Sequence, residues 1–297
     1  MKNFMEVLQA ASKAGPKILS VAVAQDEDVL VAVKAAVDNG IVQPILVGEK
    51  NKIIQIAEKI DFSLEGIEIV DILDLREATF KAVKLVSSGR ADILMKGMVD
   101  TSVVLSAVLD KAIGLRTEKT LSHVAVLFVE TYHKMLLVTD AAINIEPDLN
   151  KKKEILENAV GFAHSLGISN PKCAVICVKE TVSQALKHTV DAGHLVDMNE
   201  SGEIKGCIVG GPFALDNAIS KEAAEHKGIT HVVAGDADIL LMPQIEAGNV
   251  LYKSLTFLAK ADSAGLVLGA RAPIVLTSRA DNVVAKLNSI ALASLHV

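Results

Sequence analysis

A strand-to-helix turn near the C-terminus carries the residues best suited to chemistry. Ser278 and Arg279 follow an apolar run, residues 272–276, that predicts a buried strand, and a helical pattern begins directly after them. Free backbone N–H groups and the helix dipole favour negative charge at a helix N-terminus, and an arginine fork adds two parallel hydrogen bonds to phosphate. The turn therefore predicts a phosphate-type anion site, with Asp281 or Asn282 capping the helix.

The alternative is an ordinary turn whose arginine is solvated. Two of the five arginines in the chain, Arg271 and Arg279, fall in this stretch, which favours the anion site. Behind the turn, Val283, Leu287 and Ile290 recur at the three-to-four-residue spacing of one helix face.

A second candidate turn holds Lys96 and Gly97, between a predicted strand and a helix that begins near Thr101. A lysine there can meet a phosphate or a coenzyme pyrophosphate as a mobile point charge. A lysine that leaves the sheet edge for water explains the position equally well. Ser122 and His123 open a later predicted strand, where a histidine is more commonly a surface residue.

Two further turns can approach a ligand. Asp140 and Asn144 follow a predicted strand, at the place where α/β proteins build their clefts. Asn144 can orient a carbonyl, although asparagine in a loop is commonly a turn former. Gly211 lets the backbone approach a ligand closely, and Pro212 suits the first position of a predicted helix over residues 213–227. A plain tight turn explains the same two residues.

These turns are positioned by alternating strands and helices, predicted from the period of the apolar residues. The predicted strands cover residues 18–24, 45–47, 67–70, 93–95, 124–129, 135–138, 174–178, 207–209, 231–234, 239–241 and 272–276. The predicted helices cover residues 4–14, 26–39, 51–59, 75–87, 101–112, 151–166, 182–192, 213–227 and 248–260, with a last one after Asn282. Repeated strand–helix units predict an α/β fold, with mainly parallel sheets that carry helices on both sides.

Composition excludes several classes of protein. The net charge is −6, aromatic residues make up 3% and tryptophan is absent, so no nucleic-acid partner is expected. No apolar run reaches the roughly 18 residues of a membrane span, and the opening MKNFMEVLQAASKA lacks a signal-peptide core. The three cysteines lie in apolar runs and the eight histidines form no metal-binding motif. We therefore expect a cytoplasmic protein with no metal site and no membrane contact.

Several segments, in their order and spacing, resemble the phosphate acyltransferases, and the phosphate butyryltransferase branch more than the acetyltransferase branch. They are SRADN at residues 278–282, the GNVLYKSLTFLAKADSAGLVLGARAPIVL before it, Lys96-Gly97 after a strand, TDAAINIEPD from Thr139 and GPFALDNAIS from Gly211. The acetyltransferase branch usually has Ser-Arg-Gly at the first of these. The matches extend over about two thirds of the chain.

The resemblance implies a fold similar to that of isocitrate and isopropylmalate dehydrogenases, with two α/β lobes and an inter-domain cleft. A polar, proline-containing stretch after Asp140 predicts a domain break, and the resemblance implies that the last strand and helix return to the first domain. The expected domains are residues 1–140 with 268–297, and residues 141–267. The high apolar content with few aromatic residues predicts a homo-oligomer, at least a dimer.

The resemblance also implies an enzyme that moves a short-chain acyl group, butanoyl above others, between CoA and orthophosphate, without a cofactor. Arg279 and Ser278 would hold the phosphate, and the backbone from Ser278 to Asp281, with Asn144, would supply oxyanion donors. The resemblance to the acetyltransferase branch implies that the general base for the CoA thiol is an aspartate, seven residues after the motif serine. That position is Ala285 here, so we expect Asp281, the nearest carboxylate, as a substitute.

The remaining substrate contacts are expected from the other turns, at Lys96, Gly97, Thr101, His123, Gly211, Pro212 and Arg271. Two other classes of function compete with this one. An NAD-dependent dehydrogenase of the same superfold would need clustered aspartates for a metal, and no GxGxxG fingerprint or such cluster is present in the sequence. A non-catalytic protein that binds CoA or an acyl phosphate would need no arginine at a cleft turn.

Overall fold

Helices and strands alternate along the chain, in a computed structural model that describes residues 1–278 and 281–297. The helices are α1 (Phe4–Ala14), α2 (Glu27–Asp38), α3 (Lys50–Lys59), α4 (Leu75–Ser87), α5 (Thr101–Val108), α6 (Leu149–Ser165), α7 (Lys187–Glu200), α8 (Leu215–Ile219), α9 (Lys221–His226), α10 (Ile245–Lys253), which continues into a π-helical turn (Ser254–Leu258), and α11 (Val283–Leu295). The strands are β1 (Lys17–Ala22), β2 (Val42–Gly48), β3 (Glu68–Asp71), β4 (Ile93–Lys96), β5 (Ser122–Phe128), β6 (Leu136–Thr139), β7 (Lys172–Ile176), β8 (Ile208–Phe213), β9 (Ile239–Leu241), β10 (Asp262–Leu268) and β11 (Ile274–Val275).

The chain forms two compact units. The terminal unit contains residues 4–119 and 264–297, and the middle unit contains residues 1–3 and 120–263. The sequence places the first break about twenty residues later, after residue 140. The difference arises because β5 and β6 pair with each other and β6 pairs with β9, so both strands belong to the middle unit.

The terminal unit has the strand order β3-β2-β1-β4-β11-β10. Its strands pair in parallel, except that β10 and β11 are antiparallel. The chain moves outward from β1 to β3 and then returns through α4 to β4, on the other side of β1. Because such crossovers are right-handed, α2 and α3 cover one face and α4 covers the other. The direction of winding reverses between β1 and β4, where α/β proteins commonly bind ligands, at the carboxyl ends of the strands.

Helix caps fix the two helices that begin at this edge. The Asp26 carboxylate accepts from the backbone N–H of Val29 at 2.9 Å, and the Asn282 side-chain oxygen accepts from that of Ala285 at 2.8 Å. Asn282 is therefore the cap of α11, one of the two residues that the sequence predicts. α11 packs on α1 and α2 over a core of fully buried strand residues such as Leu94.

The middle unit has the strand order β5-β6-β9-β7-β8. β5 and β6 are antiparallel, and the other neighbours are parallel. Leu127, Val138, Phe213 and Leu240 belong to its apolar core. The described residues thus confirm an α/β fold with mostly parallel pairing.

The prediction that Gly211 and Pro212 open a helix is wrong. Both residues lie inside β8, whose pairing with β7 is irregular between Ala174 and Ile176. β8 is the edge strand of its unit, and proline is tolerated on an edge or at a bulge because no ladder bond needs its missing N–H. The helix predicted over residues 213–227 is replaced by the two short helices α8 and α9.

Other differences follow from packing that a periodic pattern does not contain. α7 begins at Lys187, midway through the predicted residues 182–192, and continues through Gly193 to Glu200. Residues 231–234 form a turn instead of a strand. β10 is absent from the predicted strands.

Candidate active site

A cavity of about 150 Å³ lies in the terminal unit, at the reversal of winding between β1 and β4. Its wall comes from the end of β4 and the two residues after it, from Thr277 and Ser278 after β11, and from the starts of α2 and α11. The carboxyl ends of β4 and β11 meet here because these neighbouring strands are parallel. The fold therefore brings together two of the predicted turns, Lys96-Gly97 and the one that begins at Ser278.

Lys96 lines this cavity, and its side chain is not exposed to solvent. The side chain is buried, with 6% exposure, and its Nζ donates to the carbonyl oxygens of Gly97 at 3.3 Å and Val99 at 3.2 Å. These contacts contradict the alternative in which Lys96 leaves the sheet edge for water.

Gly97 is required by the close approach of two backbone segments. Its N–H donates to Ala22 at 2.8 Å, and a Cβ at this position would lie 2.2 Å from the carbonyl oxygen of Val23. Val23 itself has a φ of 58°, in the left-handed region that β-branched residues rarely adopt. Strain of this kind costs about 1–3 kcal/mol and clusters at functional sites.

The turn after β11 is fixed by a carboxylate. The backbone N–H of Ser278 donates to Oδ2 of Asp281 at 2.7 Å, and the N–H of Asp281 donates to the Ser278 carbonyl at 3.1 Å. The Ser278 N–H, one of the predicted oxyanion donors, is therefore engaged by Asp281. Arg279, the predicted phosphate ligand, lies outside the described residues together with Ala280.

Three charged residues that line the cavity, Asp26, Asp28 and Lys286, are not predicted as site residues from the sequence. Lys286 lies one position after Ala285 and is 4% exposed; its Nζ donates to the Asp281 carbonyl at 2.5 Å and lies 3.6 Å from Oδ2 of Asp28. A signal was available, because Lys286 is four residues from Ile290 and so lies on the apolar face of α11. Asp28 carried no comparable signal, since it stands in the first turn of a helix where acidic residues are common.

Thr101 and Arg271 lie in the terminal unit but outside the cavity lining. Thr101 is the first residue of α5. Arg271 is exposed, and it ties a loop down: its backbone N–H donates to Leu115 at 2.9 Å and its guanidinium donates to Gly114 at 2.5 Å. These contacts give Arg271 a structural role.

In the middle unit, Asp140 organises the predicted residues around it. Its carboxylate accepts from the side-chain amide of Asn144 at 2.7 Å and from the backbone N–H of His123 at 3.0 Å. The same amide nitrogen of Asn144 also donates to Leu121 at 2.8 Å, so both of its hydrogens are used within this unit. His123 is 4% exposed, which contradicts the alternative that it is a surface residue.

The three cysteines are buried thiols. Burial raises the pKa of Cys173 well above its ordinary value and raises that of Cys177 to about 11. Cys207 differs, because a hydrogen bond with Cys173 lowers its pKa. At neutral pH the first two are protonated, which disfavours them as nucleophiles.

Over residues 1–278 and 281–297, no group of three or more His, Cys, Asp or Glu side chains is placed to hold a metal ion. In the same described residues, no helix has the length and apolar character needed to cross a bilayer.

Comparison with known proteins relates the whole chain to one family. The model of the phosphate acetyl/butaryl transferase family matches residues 3–79 and 73–294. The chain is 54% identical over 294 residues to the phosphate butyryltransferase of Clostridium beijerinckii, covering 99% of this chain and 97% of that protein. It is 50% identical over 295 residues to the phosphate butyryltransferase of Clostridium acetobutylicum, covering 99% and 98%.

A solved structure gives the same relationship. The crystal structure of a branched-chain phosphotransacylase from Enterococcus faecalis superposes with a TM-score of 0.84 at 33% identity, covering 94% of this chain and 98% of that one. Matches of this extent and identity show which family the chain belongs to. The chain belongs to the phosphate acetyl/butaryl transferase family.

Proposed function

We propose that this protein moves a short-chain acyl group between CoA and orthophosphate, with butanoyl preferred, to give an acyl phosphate and free CoA. The observation that carries the proposal is the match over nearly the full length to two phosphate butyryltransferases. The cavity supports it, because buried cationic and hydroxyl side chains meet there at the carboxyl ends of parallel strands.

In the proposed reaction a phosphate oxygen attacks the thioester carbonyl carbon, the C–S bond breaks, and CoA leaves as a thiolate that takes up a proton. Arg279, Ser278 and Lys96 hold the phosphate in line with the carbonyl. Holding the two reactants together removes most of the entropy cost of their encounter. Exclusion of water is equally necessary, because water would otherwise take the acyl group.

In the reverse direction a base must remove the proton of the CoA thiol. We retain Asp281 for this role, as the carboxylate closest to Ser278 along the chain; its bond to the Ser278 N–H holds it beside the turn. Asn144 and the turn backbone are the proposed oxyanion donors. For the N–H groups of Ser278 and Asp281 this role requires that their bonds within the turn be exchanged for the substrate. For Asn144 this role requires that one of its bonds, to Leu121 or to Asp140, be exchanged for the substrate.

The proposal also includes the more detailed features that the sequence and its resemblance predict. They are a dehydrogenase-like superfold with an inter-domain cleft, substrate contacts from Thr101, His123, Gly211, Pro212 and Arg271, no metal or cofactor, a cytoplasmic location and a homo-oligomer of at least two chains. Exposed apolar side chains on α10 and its π-helical turn, Val250 and Leu258 among them, support self-association.

A thiol-release assay with butanoyl-CoA tests the proposal. We expect CoA release that requires phosphate, forms butanoyl phosphate in equal amount, and is unchanged by EDTA or by NAD. Release without phosphate would indicate a hydrolase, and NAD-dependent oxidation of a hydroxy acid would indicate the dehydrogenase. Binding without turnover would favour the non-catalytic alternative. Loss of activity in EDTA, restored by a divalent ion, would contradict the metal-free reaction.

A further inference from the structure

We propose that Lys286 is an anion-binding residue of the cavity and that Asp28 competes with the bound phosphate for its ammonium group. The identity of the anion rests on the proposed function, whereas the site itself rests on the geometry of α2, β4 and α11. Neither residue belongs to the SRADN turn, and neither is among the residues expected to act in the reaction.

The first step is that the charge of Lys286 is buried with little compensation. Burying an ammonium group is costly unless it is paired and hydrogen-bonded. Lys286 is 4% exposed, and its Nζ has a carbonyl partner at 2.5 Å, from Asp281. Its ion pair with Asp28 is 3.6 Å long, beyond hydrogen-bond length, and the Asp28 side chain is 57% exposed. Such a solvated pair contributes little.

The second step is a comparison with the other deeply buried lysine of the described chain that has an ion pair. Lys152 in the middle unit is 2% exposed, and its Nζ lies 2.6 Å from Oδ2 of Asp191, which is itself buried. That lysine is neutralised by the protein at hydrogen-bond distance. Lys286 is not, although it is buried to nearly the same extent, so its charge is placed for a partner that the described residues do not supply at hydrogen-bond distance.

The third step is the cavity that Lys286 faces. Lys96, with 6% exposure, Thr277 and Ser278 line the same space, so two buried ammonium groups and two hydroxyls lie around it. Two carboxylates also line it: that of Asp26 accepts from the Val29 N–H, and that of Asp28 is the partner of Lys286. An ammonium carries three N–H donors, and the Asp281 carbonyl occupies one of those on Lys286. The volume of about 150 Å³ is below the roughly 300 Å³ at which pockets for drug-sized ligands begin. It suits a small dianion such as orthophosphate and not the nucleotide of CoA.

The test uses Lys286→Met, with Lys34→Met as its matched control. Lys34 also donates to a main-chain carbonyl, that of Ile60 at 3.0 Å, and lies on α2 away from the cavity. We expect Lys286→Met to raise the KM for phosphate at least about tenfold, because a hydrogen bond to a charged group is lost, with the KM for butanoyl-CoA within about twofold. Lys34→Met should change neither constant.

Phosphate binding is also measured without turnover, as the shift in melting temperature in potassium phosphate relative to potassium chloride of equal ionic strength. We expect the shift in the native protein and in Lys34→Met and its loss in Lys286→Met. An unchanged shift in Lys286→Met, or none in the native protein, would overturn the proposal. A shift that depends on Lys286, in a protein without phosphate-dependent thiol release, would support the anion site and contradict the proposed function.

Asp28→Asn is expected to have the opposite effect on phosphate affinity. This variant tests the proposal if Lys286→Met does not fold. Removing the competing carboxylate should strengthen phosphate binding by about two- to fivefold, as expected for a weak exposed pair. Weaker or unchanged phosphate binding in Asp28→Asn would show that Asp28 does not compete for Lys286, and would overturn the proposal.

Discussion

The proposed phosphate site depends on a few residues after β11, and we expect Arg279 to contribute most to phosphate binding. We predict that Arg279→Ala raises the KM for phosphate and lowers kcat, costing about 3–5 kcal/mol in kcat/KM if the charge pair is desolvated. Arg279→Lys should recover only part of this loss, because an ammonium cannot reproduce the bidentate fork. Steady-state kinetics with phosphate and butanoyl-CoA varied separately measure both effects.

Arg271→Ala is the control for this prediction. Because the Arg271 guanidinium donates to the Gly114 carbonyl, its removal should lower the melting temperature and leave the KM for phosphate within about twofold. Near-normal kinetics in Arg279→Ala would remove the phosphate site from the turn.

At the residue scale, sequence reasoning located one half of the cavity. Ser278 and Lys96 were predictable because each follows a strand and precedes a helix, and such turns collect at one edge of a parallel sheet. Lys286 and Asp28 were not, because their meeting depends on how α2 packs against α11. Asp140 was missed as an organising residue for a similar reason, since its partners lie on neighbouring strands and turns.

At the scale of elements, the β4–α5 turn depends on Gly97. Gly97→Ala should destabilise the protein by about 1–3 kcal/mol, because the new Cβ would lie 2.2 Å from a backbone oxygen that cannot move aside easily. Gly161→Ala in α6 is the matched change, because a Cβ there meets nothing within 4 Å. It should stabilise by about 0.5–1 kcal/mol, the helix preference of alanine over glycine. Thermal unfolding of both variants measures the difference, and equal effects would contradict it.

The packing of α6 on α7 depends on a buried ion pair. Lys152→Met should cost about 3–5 kcal/mol, because it leaves the buried Asp191 carboxylate without its partner at 2.6 Å. Its neighbour Lys153 pairs with Glu203 at 2.7 Å on the surface, where such pairs contribute about 0–1 kcal/mol. Lys153→Met should therefore change the melting temperature little. A small loss in Lys152→Met would mean that α6 and α7 hold together through apolar contacts alone.

The elements themselves were predictable where local signals agree. α1 and α4 have the predicted bounds, because each combines an apolar face with a clear stop, at Gly15-Pro16 and at Ser88-Gly89. The predicted strand over residues 207–209 matches only the start of β8, because Gly210-Gly211-Pro212 is locally a turn sequence and only its place at a sheet edge makes it a strand.

At the scale of the whole molecule, histidines of both units respond to pH in the same direction. Burial lowers the pKa of His188, with the positive charge of Lys152 adding to the effect. Burial also lowers the pKa of His231, against a weaker opposing effect of Glu200, and of His296, where Lys119 adds to it. The folded protein therefore favours the neutral form of these three histidines.

Two half-buried carboxylates respond over a lower range of pH. Burial opposes ionisation of Asp236, but hydrogen bonds from Lys172 and Lys134 outweigh it and hold its pKa far below the ordinary value of 3.8. A hydrogen bond from Lys227 similarly lowers the pKa of Glu180 from 4.5. The stability that these groups contribute is complete above their ordinary values and is lost only as the pH falls below them.

The histidines and the carboxylates thus affect stability over separate ranges of pH. This separation gives a prediction for the whole chain. Below the ordinary histidine pKa of 6.5, the unfolded chain binds protons that the folded protein does not, so the free energy of unfolding falls as the pH is lowered. We expect the melting temperature to fall by several degrees between pH 7.5 and 5.5. The combined variant His188→Gln, His231→Gln and His296→Gln should show a flatter dependence over this range and keep the steeper loss below about pH 4 that the carboxylates cause. A dependence equally steep in the native protein and in the variant between pH 7.5 and 5.5 would show that other groups titrate with folding there.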